Sequence, residues 1–250
     1  MELTGKKIVV TGAASGIGRA LLTLLCEQDV QVVAVDLTAV QPTDFPAPHK
    51  ILPLVIDLAG KGTTEHILQQ AVERMGRVDV FFANAGFAYY ETLENPDQDH
   101  LERIFQVNVY AAIDAALGMQ ALNRQKPYRV VITSSAMAYI PLPKYALYSA
   151  TKAALHAFAD SYRWQLSDPR SLVLVYPIAT QTGFFGKASA RTPLPYPSQT
   201  PEEVARAILK GIERNETSIF PSEVFWLGLK LKAVLPFLHR FIQWREQVRR

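Results

Sequence analysis

Ile8-Val9-Val10-Thr11-Gly12-Ala13-Ala14-Ser15-Gly16-Ile17-Gly18 reads as a strand, a turn and the opening of a helix. The β-branched run suits a buried strand, and the residues after Gly18 suit a helix. Three glycines punctuate the join. Gly12 permits a tight turn, Gly16 lets the backbone approach a pyrophosphate, and Gly18 lets helix and strand pack closely. Ser15 and Ile17 complete the loop. The first turn of a helix presents unpaired N–H groups and a partial positive charge, which together favour phosphate. A glycine-rich turn alone is often only structural; its place between a strand and a helix makes this one a candidate dinucleotide site.

The same alternation continues outward. Strands are expected at Lys7 to Val10, Gln31 to Asp36, Ile51 to Ile56, Val78 to Ala83, Arg129 to Ser134, Leu172 to Tyr176 and Ser218 to Phe220. Most are apolar throughout, as parallel strands covered on both faces are. Helices are expected at Gly16 to Gln28, Thr63 to Met75, Asp97 to Arg124, Tyr148 to Ser167 and Pro201 to Arg214. Thr200-Pro201-Glu202-Glu203 supplies a hydroxyl cap, a first-position proline and first-turn acids to the last of them. The expected fold class is α/β, a single doubly wound domain whose mostly parallel, seven-stranded sheet is flanked by helices. Residues 1–223 form the nucleotide-binding and catalytic unit, and 224–250 an apolar, basic extension of the same domain.

A chain of 250 residues with 49% hydrophobic and 20% charged residues is an ordinary globular composition. Its net charge of +3 gives no case for nucleic acid. The charge is uneven, however. From Val224 onward, Lys230, Lys232, Arg240, Arg245, Arg249 and Arg250 face a single acid, Glu246. Cys26 is the only cysteine, so no internal disulfide is possible, and it reads as a small buried hydrophobe. The N-terminus carries no secretory signal pattern, and a cytoplasmic location is expected. No histidine, cysteine or carboxylate cluster suggests a metal site, so none is expected.

Asp36 closes the second strand. A carboxylate there accepts both hydroxyls of an adenosine ribose and repels a 2′-phosphate. Leu37 and Thr38 follow, with no adjacent lysine or arginine, which favours NAD over NADP. Asp57-Leu58 ends the third strand and Asn84-Ala85-Gly86 the fourth. Both segments fall at the carboxyl ends of strands, where ligands bind in such sheets, and are expected to meet the adenosine half of the cofactor.

Tyr148-Ser149-Ala150-Thr151-Lys152 is the second decisive stretch, with Ser135 thirteen residues before the tyrosine. With the glycine motif, Asn84-Ala85-Gly86 and Asn108 of Val107-Asn108-Val109, in that order, the chain resembles the short-chain dehydrogenase/reductase family over roughly Lys6 to Arg214. The resemblance implies a Rossmann-type fold and a hydride exchanged between nicotinamide and a secondary alcohol or ketone. Tyrosine ionises near ~10, too high for easy use at neutral pH. Lys152, one helical turn on, is expected to favour the phenolate, as would a positive nicotinamide ring. The family pattern also has this lysine bind the nicotinamide ribose, with Tyr148 beside it. Ser135 is expected to bind the reacting oxygen, in preference to Ser134. Asn108 matches the residue that supports a water relay behind the lysine. Pro177 and Thr182 match positions near the carboxamide, but the glycine usual after Pro177 is Ile178, which cannot readily take a positive φ. The resemblance further implies a homodimer or homotetramer built through 97–124 and 148–167.

Three stretches leave alternatives. Gly183 to Thr200, with Phe184, Phe185 and Tyr196, reads as a lid or binding loop, against a plain connector. Tyr145 reads as a pocket wall, and His156 as packed or solvated. Val224 to Val248, divided by Pro236, reads as two short helices that cover the pocket or meet a subunit, against a basic amphipathic segment on an anionic membrane surface. An apolar substrate is expected, lipid-, steroid- or acyl-like. Two rival functions remain: a weakly catalytic NAD sensor, and a membrane-surface protein that recruits a partner.

Overall fold

The computed structural model describes residues 1–94, 97–184 and 197–234. Strands β1 (Lys6–Thr11), β2 (Val30–Asp36), β3 (Ile51–Val55), β4 (Val80–Ala83), β5 (Arg129–Thr133) and β6 (Leu172–Val175) all run parallel. A short pair, β7 (Ala179–Thr180) and β8 (Ser198–Gln199), stands apart, and β9 (Ser218–Ile219) completes the main sheet beside β6. The seven-stranded order is β3-β2-β1-β4-β5-β6-β9. The chain therefore reverses its direction of winding between β1 and β4, and the crevice there is where such sheets hold ligands.

Helices cover both faces, which is why the strands are continuous apolar runs. α1 (Gly16–Cys26) lies on one face, against the later α6 (Pro201–Glu213). Its Leu21, Leu22 and Leu25 pack with Ile8 and Val10 of β1 and Val204 and Ile208 of α6. Cys26 is a buried thiol in that layer. The opposite face carries α2 (Thr63–Met75), α4 (Ala111–Leu122) and α5 (Ala146–Tyr162), with Ile67, Ala115 and Leu155 against Val9, Phe81 and Ile132. Small side chains on α4, chiefly alanines, let it lie close to the sheet. α6 begins as its sequence requires, with Thr200 and Glu203 exchanging hydrogen bonds in a capping box.

The helix expected over 97–124 is not continuous. α3 (Gln98–Phe105), capped by Asp97, passes into a π turn at Gln106–Tyr110 before α4 begins. Asn108 sits inside that turn and is buried. Its Nδ2 donates to the Phe87 carbonyl at 2.9 Å and to Thr151 Oγ1 at 3.2 Å, and its Oδ1 accepts from Phe87 N–H at 3.1 Å. Three tertiary bonds to one amide oppose regular helical winding at this point, and π turns of this kind recur at functional sites.

The helix expected at 148–167 starts two residues earlier and ends at Tyr162, followed by a 3₁₀ turn. The last described helix, α7 (Glu223–Val234), follows β9. Pro236 and the second short helix expected beyond it lie outside the described residues, as do Phe185 and Tyr196 of the expected lid.

Candidate active site

One cavity of about 840 Å³ runs along the carboxyl ends of the strands. Gly12, Ser15, Gly16, Ile17, Asp36, Asp57, Leu58, Asn84, Ala85 and Gly86 line one end of it. Ser135, Tyr148, Lys152, Pro177, Ile178 and Thr182 line its middle. Gly18 and Asn108 stand just behind the wall.

The glycine loop is built for close approach. Gly12 and Gly16 have φ of 68° and 53°, in the region that side chains disfavour. A Cβ on Gly18 would lie 2.0 Å from the Gly12 carbonyl oxygen, so helix and strand meet there with no space to spare. A Cβ on Gly16 would press on the Thr182 methyl at 3.0 Å, which places Thr182 over the loop. Asp36 binds the same loop: its Oδ2 accepts from Ala14 N–H at 2.9 Å, and its Oδ1 from Thr38 N–H at 3.4 Å. The free N–H groups opening α1 and the carboxylate of Asp36 thus bracket a space suited to a pyrophosphate and a ribose. These residues fit a dinucleotide.

Asn84 is more structural than its position suggested. Its Nδ2 donates to the carbonyls of Thr11 (3.2 Å) and Gly12 (3.4 Å), and its Oδ1 accepts from Thr133 Oγ1 at 3.1 Å. Thr11 Oγ1 receives the backbone N–H groups of Asn84 and Ala85, each at 3.1 Å, and donates to Phe82. Thr11 and Thr133 thereby clamp β1, β4 and β5 together under the cavity. Sequence reasoning passed over both; Thr11, ending a strand beside a glycine turn, carries a local signal, whereas Thr133, followed by Ser134 and Ser135, does not. It also missed Arg103, which reaches from α3 to hold Asp57 Oδ2 at 3.0 Å. The backbone N–H of Ala59 is the larger cause, with Arg103 aiding, that keeps the Asp57 carboxyl below the usual range.

Tyr148 and Lys152 rise from one face of α5 into the cavity floor. Lys152 Nζ donates to the Thr133 carbonyl at 2.8 Å and lies 5.4 Å from the centre of the Tyr148 ring. Ser135 caps a short 3₁₀ turn, its Oγ accepting from Met137 N–H at 3.1 Å, and stands beside the Tyr148 hydroxyl. Ser134 is turned away, donating to the Lys152 carbonyl at 3.2 Å, so the serine at the tyrosine is Ser135. Ile178 keeps a negative φ; among the described residues only Lys144 and Asn215 depart from this without being glycine. The Pro177 carbonyl instead accepts from Ala136 N–H at 2.9 Å, tying the end of β6 to the serine loop.

The electrostatics differ from the simplest expectation. Burial, opposed only by the Ser135 hydroxyl, pushes Tyr148 up to about 12, and burial pushes Lys152 down to about 7. Within the protein alone the lysine does not bring the tyrosine toward neutrality, because both groups have left water. A lysine whose folded pKa lies below its unfolded value costs stability when both states are protonated, and that cost disappears as pH rises past both values. Lys152→Met should therefore raise the melting temperature by about 3 °C or more at pH 6, for ~1 kcal/mol relieved, and by less at pH 9. Differential scanning calorimetry at the two pH values checks this; an equal or larger gain at pH 9 contradicts the burial argument.

One further expectation changes. Tyr145 does not line the cavity; it is 0% exposed and packs edge-on behind Tyr148, with ring centres 6.3 Å apart. His156 is packed, as expected, its Nδ1 lying 2.8 Å from the Tyr176 hydroxyl. The far end of the cavity is apolar, lined by Ile140, Leu142, Phe184, Val224, Phe225 and Leu231.

Residues 6–192 match the family model for short chain dehydrogenases. The chain belongs to the short-chain dehydrogenase family. Members are oxidoreductases that use a nicotinamide cofactor, and the cavity is placed accordingly. The 3-dehydrosphinganine reductase of Danio rerio is 26% identical over 249 residues, covering 91% of this chain and 75% of that one. Among solved structures, a short chain dehydrogenase/reductase from Burkholderia phymatum, in complex with NAD, superposes with a TM-score of 0.82 at 19% identity, over 95% of this chain and 96% of that one. One from Sphingobium yanoikuyae, in complex with NADPH, gives 0.77 at 20% identity over 92% and 94%. These two share the fold and hold different cofactors.

Proposed function

We infer that this short-chain dehydrogenase interconverts a secondary alcohol and a ketone on an apolar, lipid-like molecule, with NAD(H) as its cofactor. The observation that carries this reading is the single cavity joining the glycine loop, the Ser135–Tyr148–Lys152 group and an apolar arm. Residues 1–223 supply the cofactor site and the chemistry; the extension from 224 supplies the arm's outer wall. The cofactor would lie against Gly12, Ser15, Gly16, Ile17 and Gly18, with Asp36 at its ribose, and with Asp57, Leu58, Asn84, Ala85 and Gly86 framing the adenosine side. Pro177, Ile178 and Thr182 face the nicotinamide side. The nicotinamide, when bound, supplies or accepts the hydride and, oxidised, carries a positive charge.

The chain's own residues then divide the work. Ser135 donates a hydrogen bond to the reacting oxygen and steadies the charge that gathers there. Tyr148 Oη gives that oxygen its proton in reduction and takes it back in oxidation. Lys152 stabilises the phenolate when protonated and holds the ribose side of the cofactor, while Asn108 supports a water relay that restores its proton. Burial excludes bulk water from the exchange. The apolar arm accommodates a chain or ring system, and a reductase for a long-chain sphingoid ketone among the relatives agrees with that shape. The exposed Tyr110, at the end of the π turn, and Leu117 on α4 suit the subunit contact of a homodimer or homotetramer. A cytoplasmic enzyme, working alone or at a membrane surface, fits this reading.

NAD is favoured because Asp36 occupies the ribose corner with no cation beside it. Arg103 and Lys152 are the only cations among the described lining residues, and Arg103 is held by Asp57. Calorimetry should show NAD binding at least about tenfold tighter than NADP, ~1.4 kcal/mol, with the preference reduced in Asp36→Ala. Equal or tighter NADP binding by the wild type overturns the cofactor assignment and leaves the chemistry at Tyr148 standing.

A further inference from the structure

α7 has two jobs written on one short helix. Val224, Phe225, Gly228 and Leu231 line the apolar arm of the cavity, a spacing that puts them along one side. Yet Val224 is 75% exposed, Leu227 63%, Leu231 50% and Trp226 42%. Large apolar side chains at 224, 227 and 231 thus form an exposed strip that runs on into the mouth of the cavity. Clustered exposed apolar residues of this kind mark contact surfaces. Trp226 and Lys230 flank the strip, the Lys230 ammonium lying 4.0 Å above the Trp226 ring. Aromatic rings and snorkelling lysines are the side chains that suit the boundary between water and lipid. The sequence after Val234 adds four arginines against one glutamate. No described helix is long and apolar enough to cross a membrane.

We propose that α7 lies on the surface of an anionic bilayer, with Leu227 and Trp226 set into it, so that the substrate enters the cavity from the membrane. The apolar strip supplies the insertion energy, and the basic residues select the anionic leaflet. Charge decides between lipid and a second copy of the chain. Two copies would bring two basic segments together, whereas an anionic surface attracts both. The continuity of the strip with the cavity adds the functional half: a lipid leaving the bilayer along α7 need not cross water to reach Tyr148. This half rests on the reading of the chain as an oxidoreductase for an apolar molecule.

The test is co-sedimentation with vesicles of phosphatidylcholine, alone and with phosphatidylserine added, at low and high salt. The full chain should bind the phosphatidylserine vesicles at low salt and lose most binding at high salt. Leu227→Glu and Lys230→Glu should each weaken it about tenfold, a basic residue near an anionic leaflet being worth roughly fivefold and a reversal more. Neither side chain lines the cavity, so cofactor affinity by calorimetry should be unchanged, which also verifies folding. With a long-chain ketone embedded in the vesicles, both variants should slow reduction, and with a short water-soluble ketone neither should. Absence of vesicle binding overturns the proposal. So does a concentration-dependent dimer that Leu227→Glu dissolves, with no vesicle binding, since the strip is then a contact between copies. Vesicle binding with reduction of the soluble ketone but not of the embedded one keeps the surface and overturns delivery; failure on the soluble ketone as well places the fault in the enzymatic reading.

Discussion

Tyr148→Phe should lower turnover by about a thousandfold, within the ~10²–10⁴ that a positioned acid or base contributes. The substitution keeps the ring, its contact with Phe184 at 5.4 Å and its packing on Tyr145, and removes only the hydroxyl beside Ser135. NAD binding by calorimetry should remain, so the loss should fall on kcat rather than on cofactor affinity. The assay follows reduced nicotinamide by absorbance with any ketone that the wild type accepts. Because burial holds the tyrosine at about 12, it is a proton donor across the neutral range, and reduction should run without loss of that proton up to alkaline pH. Oxidation demands the phenolate, so its rate should rise with pH as far as the protein stays folded. A variant that retains a tenth or more of the wild-type rate removes Tyr148 from the proton path and revives the NAD-sensor reading.

Gly18→Ala should be the most damaging single methyl group in the cofactor half. Its Cβ would stand 2.0 Å from the Gly12 carbonyl oxygen and 2.8 Å from Asn84 Nδ2. The first of these is backbone, so the opening of α1 must move away from β1. We expect a loss of about 3 kcal/mol in stability, the upper part of the overpacking range. The cofactor should bind at least about tenfold more weakly, because the N–H groups that face the pyrophosphate move with the helix. Gly183→Ala is the control, since none of the described residues lies within 4 Å of its added Cβ, and its stability should change by less than about 0.5 kcal/mol. Chemical denaturation and calorimetry read both effects. If the two variants behave alike, the strand–helix junction is looser than its geometry states.

Both predictions begin from residues that can be read in order along the chain. The strands were legible because each is a short β-branched run, and parallel strands buried on both faces need no alternation. The glycine turn and the Tyr148–Lys152 pair were legible because their meaning lies in spacing of a few residues. What escaped depends on contacts between distant segments. The break in the 97–124 helix comes from Asn108 bonding to Phe87 and Thr151, and no local preference announces it. Tyr145 has a pocket-like position in the chain, yet the loop before α5 folds it inward. The burial that pushes Tyr148 up and Lys152 down was not legible, because it is a property of the whole fold. Lys152 reaches the carbonyl of Thr133, nineteen residues away, and is 3% exposed there. At the apolar arm, Phe184 and a covering segment from 224 were both anticipated, whereas which side of α7 faces inward required the fold.

The π turn at Gln106–Tyr110 has a consequence for how this chain tolerates change in length. A π turn holds one residue more than the α turn it replaces, so a single deletion between 106 and 110 would restore ordinary winding and the hydrogen-bond ladder. The repair would also rotate every residue of α3 by about 100° relative to α4. Arg103 would swing off Asp57, and Ile104 would leave the interior. A more regular helix would thus come with a broken cavity wall beside Asp57. The surplus residue works as a shim: it sets the angular phase between the helix that lines the cavity and the helix that packs on the sheet.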